Sequence, residues 1–103
     1  MRASKNDLPI LLEAGEATVR GVDWDDMRVA VVSVPAGTDF GPLLRGHSDD
    51  RCPCPHWGYV MKGRLKVQSD DGEETLRAGD VYYLRPGHTG VAVEDTEFLE
   101  VSP

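Results

Sequence analysis

The chain has 103 residues, 40% of them apolar and 28% charged, with a net charge of −7. That length suits one compact domain with a modest core. The acidic balance argues against a phosphate backbone or an anionic membrane surface as partner, because both attract basic patches. No apolar run approaches the length of a bilayer span.

The first fifteen residues hold one short apolar run, interrupted by Pro9 and followed by Glu13, a poor match to a signal peptide. A cytoplasmic location is expected. Asn6 or Asp7 can cap a short helical turn over Asn6 to Leu12. Beyond it the pattern is one of strands and turns. Trp24, in "VDWDDM", falls in a turn before "MRVAVVSVPAG" (Met27 to Gly37), which is rich in β-branched residues and ends at Pro35 and Gly37. "WGYVMKG" leads through Lys62-Gly63 into "RLKVQS", a hairpin signal, and "DDG" at Asp70 to Gly72 marks another turn. "EETLRAGD" is a short strand closed by Gly79-Asp80, and "VYYLRPG" is an apolar, aromatic strand closed by Pro86-Gly87. "TGVAV", a polar turn at Glu94 to Thr96 and "EFLEVSP" complete the chain. At least seven short strands with no helix of ordinary length predict an all-β domain, a sandwich or closed barrel.

The stretch "DDRCPCPHWGYVMKGRL" holds both cysteines, Cys52 and Cys54, beside His56. A disulfide across Cys-x-Cys would close a tiny loop of demanding geometry. In a reducing compartment such thiols are more often ligands or reactive groups.

"HWGYVMKGRLKV" followed by "AGDVYYLRPGH" resembles the cupin superfamily over roughly residues 28–102. The resemblance implies a double-stranded β-helix, or jelly-roll, barrel in a single domain covering 1–103. Gly79, Pro86 and Gly87 follow the second cupin motif, G(x)5PxG(x)2H(x)3N, with the proline one place late. In the first motif, G(x)5HxH(x)3–4E(x)6G, Gly63 serves as the closing glycine. Counting back with the three-residue spacer puts His56 at the ligand glutamate, Cys52 at the second histidine and Asp50 at the first. Gly90 stands at the histidine of the second motif, and His88 lies two residues earlier, which keeps an extended chain on the same face.

Parity supports the same grouping. Cys52, Cys54 and His56 would face one side of an extended chain, although Pro53 and Pro55 favour a polyproline-like path that would turn Cys54 away. A set of Cys52, His56 and His88, with Cys54 as the fourth candidate, favours zinc, with iron or copper as alternatives, over magnesium or calcium. Val60, Tyr82 or Tyr83 and the valines of residues 29–34 are candidate pocket lining. Trp57 has the opposite parity to His56, which puts it on an outer sheet face or a subunit contact. His47, Asp49, Asp50 and Arg51 read as solvated loop residues.

Three functions compete: a metal-dependent cupin that binds or transforms an unidentified small molecule, a non-catalytic binding or sensing module that needs no metal, and a thiol-centred redox protein using Cys52 or Cys54. The sequence leaves open whether the protein is an enzyme. Exposed sheet edges predict a homodimer.

Overall fold

A computed structural model of the chain describes residues 1–40 and 54–103. After a 3-10 turn at Lys5–Asp7 come nine strands: β1 (Ile10–Ala14), β2 (Ala17–Trp24), β3 (Met27–Val34), β4 (His56–Lys62), β5 (Arg64–Ser69), β6 (Gly72–Arg77), β7 (Val81–Leu84), β8 (Thr89–Ala92) and β9 (Thr96–Ser102). They form a six-stranded antiparallel sheet, β1-β2-β3-β9-β4-β7, and a three-stranded one, β6-β5-β8. The two sheets share one core, as a jelly-roll barrel requires. The all-β expectation and the jelly-roll reading therefore hold.

The core follows the period-two alternation of the strands. Val32 and Val34 of β3, Val60 of β4, Tyr82 and Leu84 of β7 and Phe98 of β9 point inward from the large sheet. Leu65, Val67, Leu76 and Ala92 meet them from the small one. Val60 is fully buried, and the Phe98 ring stands edge-on to Phe40 and Tyr82. Of the expected valine lining, Val32 and Val34 reach this core; Val29 and Val31, of opposite parity, lie on the other face of β3.

Two local expectations change. The helical turn predicted for Asn6 to Leu12 is confined to Lys5–Asp7; Ile10–Ala14 is a strand, pairing antiparallel with β2. Sheet pairing overrides the capping signal of Asn6 and Asp7 here. The Lys62-Gly63 pair does not make a hairpin. β4 pairs with β7 and β9, whereas β5 pairs with β6 and β8, so Gly63 turns a corner between sheets.

Gly63 has φ of 86°, and a Cβ there would overlap the Asp95 carbonyl oxygen and lie 2.6 Å from Thr96 Oγ1. Thr96 is buried, with its hydroxyl 2.9 Å and 2.8 Å from the carbonyl oxygens of Arg64 and Glu94. The corner thus combines a left-handed backbone with a close approach that only glycine permits. Gly63→Ala is expected to cost about 2 kcal/mol or more and lower the unfolding midpoint by about 10 °C. An unchanged midpoint in calorimetry would show that the corner tolerates a side chain.

Candidate functional site

The site is built across three adjacent strands of the large sheet. Tyr82 of β7 pairs in register with Gly58 of β4, and Gly58 pairs with Glu100 of β9. All three positions face inward. A Cβ on Gly58 would overlap the Tyr82 ring and the Leu99 carbonyl. Because none is present, the Tyr82 ring lies over β4 and its hydroxyl donates to Glu100 Oε1 at 2.8 Å. Glu100 is thereby tied down inside the barrel, its side chain only 17% exposed.

His56 is two residues before Gly58 and shares its face. Its Nδ1 lies 3.6 Å from Glu100 Oε2. His88 arrives from the opposite side, at the start of the small sheet's β8, and is buried. The two imidazoles meet with ring centroids 4.7 Å apart and planes at 74°. His88 Nδ1 is 2.7 Å from the Arg85 carbonyl oxygen. A carbonyl only accepts, so Nδ1 carries the proton and Nε2 keeps its lone pair.

Burial dominates the electrostatics. It lowers the His56 pKa to about 4, with the neighbouring His88 adding to the shift. It also lowers that of His88, against the opposing effect of the Arg85 carbonyl. Both imidazoles are neutral at pH 7, so the His56–Glu100 contact is not an ion pair. Glu100 is pushed up to about 7 by burial, against the opposing hydrogen bond from Tyr82. Burial first, and the Glu100 carboxylate second, raise the Tyr82 hydroxyl well above its usual value.

Sequence reasoning brought His56 and His88 together by parity, and the structure places them side by side. Gly90, where the second motif has its histidine, has no room: a Cβ there would sit 2.8 Å from the Lys66 carbonyl oxygen. Cys54, two residues before His56, is a half-buried thiol just ahead of β4. Cys52, His47, Asp49, Asp50 and Arg51 lie outside the described residues. Glu100 and the role of Tyr82 were missed. Their signal is the inward parity of Thr96, Phe98 and Glu100, which puts an acid in line with two buried residues. Tyr82 and Tyr83 alternate as expected. Tyr82 faces in, and Tyr83 faces out against Trp57, with ring centroids 5.4 Å apart.

A cleft of about 320 Å³ opens beside His88, lined among others by Ser69, Glu73, Tyr83 and Arg85. At its mouth Arg85 pairs with Asp71 at 3.0 Å, an exposed contact of small worth. No helix among the described residues is long and apolar enough to cross a membrane.

A two-sheet jelly-roll with facing histidines defines a cupin-type barrel. The cupin domain model matches residues 30–98, and the chain belongs to that family. Solved structures agree on the fold. KdgF from Halomonas sp. superposes with a TM-score of 0.72 at 19% identity, over 97% of this chain and 92% of that one. An RmlC-like cupin from Shewanella frigidimarina gives 0.71 at 15% identity, over 97% and 86%. Oxalate decarboxylase from Lactobacillus farciminis, solved as a formate complex, gives 0.70 at 18% identity, but this chain spans only 31% of it. No curated protein matches the chain.

The buried acid predicts a pH signature in chelator-treated protein. A carboxyl whose folded pKa exceeds its unfolded value favours the folded state most at low pH. That contribution is lost as pH rises from about 4.5 to about 7. His56 runs the other way: its depressed pKa lets stability rise with pH from about 4 to about 6.5. Glu100→Gln removes only the first effect. The variant should match wild type near pH 4.5 and exceed it above pH 7, by up to about 3 kcal/mol. Denaturant unfolding across pH checks this; a constant difference between the two proteins would contradict it.

Proposed function

We propose that this protein is a metal-binding cupin in which His56 and His88 hold a divalent transition metal and a small molecule occupies the cleft beside His88. The observation that carries the reading is the pair of neutral imidazoles, His88 buried and His56 half-buried, whose ring centroids lie 4.7 Å apart. Neutral imidazole is the form that ligates. The His88 ring has a second partner at Nδ1, the Arg85 carbonyl, which is the arrangement that orients a ligating ring and leaves Nε2 for the metal; His56 Nδ1 lies 3.6 Å from Glu100 Oε2, beyond hydrogen-bond distance.

Two histidines fit a metal but do not complete a site. Among the described residues no cluster of three His, Cys, Asp or Glu side chains is arranged to hold one. Cys52 is the expected third donor and Cys54 the fourth candidate. A thiolate and two imidazoles favour zinc, with iron or copper as alternatives. Such a metal would supply Lewis acidity to a bound molecule. The chain's own residues keep the rings neutral by burial and hold the His88 ring through the Arg85 carbonyl, with Glu100 beside His56. The reading assumes a cytoplasmic, reducing setting in which both cysteines remain thiols.

Titration calorimetry of chelator-treated protein with zinc, ferrous and cupric ions tests it. Wild type should bind close to one equivalent, with zinc at least about 10-fold tighter than ferrous ion. His56→Ala and His88→Ala should each weaken binding at least about 100-fold, and Cys52→Ser should weaken it too. Wild-type protein that binds none of the three ions would favour instead a binding module that works without metal.

A further inference from the structure

The small sheet carries an acid on its inner face. Glu74 of β6 pairs in register with Val67 of β5, as Leu76 pairs with Leu65, and directly opposed residues share a face. Val67, Leu65 and Leu76 are core residues, so Glu74 continues the core row of β6 toward the mouth of the barrel. There it lines the cleft of about 320 Å³ that opens beside His88, whose apolar wall comes from Val67 and Leu84. The next pair outward is Ser69 with Gly72, and even a Cβ on Gly72 would meet nothing within 4 Å.

The other charges along the cleft are matched. Arg85 pairs with Asp71 at 3.0 Å. Glu73, opposite Gln68, has the other parity; Gln68 Nε2 donates to it at 3.1 Å and Lys66 Nζ lies 3.4 Å away. The Glu74 carboxylate has neither an ion pair nor a hydrogen bond among the described residues. The cleft is left with one unmatched negative charge beside an apolar wall. We infer that the small molecule it takes carries a protonated amine on a short aliphatic body, and that Glu74 receives the ammonium group. The inference rests on the reading that this cleft is the ligand site, and it names the class of ligand. An ammonium group gains a charge-assisted hydrogen bond there, while the aliphatic part covers Val67 and Leu84. A carboxylate ligand would meet Glu74 with like charge and would have to take Arg85 from Asp71.

Amide chemical-shift titrations of chelator-treated protein with butylammonium, 1-butanol and butyrate test it, since the three probes share a chain and differ in charge. Butylammonium should bind at least about 10-fold more tightly than butyrate and should shift the amides of Val67, Ser69 and Glu74. Glu74→Gln should lower its affinity at least about 5-fold while leaving that of 1-butanol unchanged. Glu13→Gln removes the same charge from an exposed position on β1 and should leave all three affinities unchanged. Equal affinity for the three probes, or no binding of butylammonium, would overturn the inference. So would an equal loss in the two glutamine variants, which would trace the preference to the overall charge of −7. Repeating the titrations with zinc added separates this inference from the metal reading. A Glu74-dependent preference in protein that takes up no zinc would support the ammonium site and remove the metal; zinc uptake without that preference would do the reverse.

Discussion

The candidate site depends on a missing side chain. Gly58 sits between Tyr82 and Glu100 in the register of three neighbouring strands, and its bare backbone lets the tyrosine reach across β4 to the carboxyl. Any larger residue would meet the ring first. From that bridge the rest follows. Glu100 is held inside the barrel at a depth where an unpartnered carboxyl would be costly, and it stands beside His56 Nδ1. His56 is thereby given a fixed neighbour on one ring atom, and the opposite sheet brings His88 against its ring.

The energetics of this group are set by burial more than by charge pairing. Two imidazoles whose pKa values fall and a carboxyl whose pKa rises all avoid charge for the same reason: little water reaches them. A polar cluster whose surroundings disfavour charge is an expensive feature in a small domain. The core around it, with Val60 fully buried and Phe98 packed against two aromatic rings, is what makes it tolerable. A metal would give the Nε2 lone pair of His88 a use that core packing alone does not explain.

Much of the fold was legible in local patterns. The β-branched run of Met27 to Val34 and the turns at Gly79 and Pro86-Gly87 stand where the sequence puts them, and both glycines have positive φ. His56 and His88 converge because parity survives a shift of two residues, and Gly90 has no room for the side chain it lacks. What escaped was decided over long range. Asn6 and Asp7 carry a helix-start signal, yet Ile10 to Leu12 become an edge strand because β2 is there to pair with them. Lys62-Gly63 has the chemistry of a hairpin turn, but a positive-φ glycine serves equally at a corner between sheets, and the strand partners determine which forms. Glu100 was hidden because acids usually mark turns; only its alignment with Thr96 and Phe98 places it inside.

The most direct test of the account is a crystal structure of the protein loaded with zinc, with anomalous scattering recorded across the zinc edge. The account predicts one peak bonded at about 2.0–2.1 Å to His88 through Nε2 and to a ring nitrogen of His56, with Glu100 still accepting from Tyr82. A peak bonded through Nδ1 of His88, or no peak within reach of the two histidines, would contradict it.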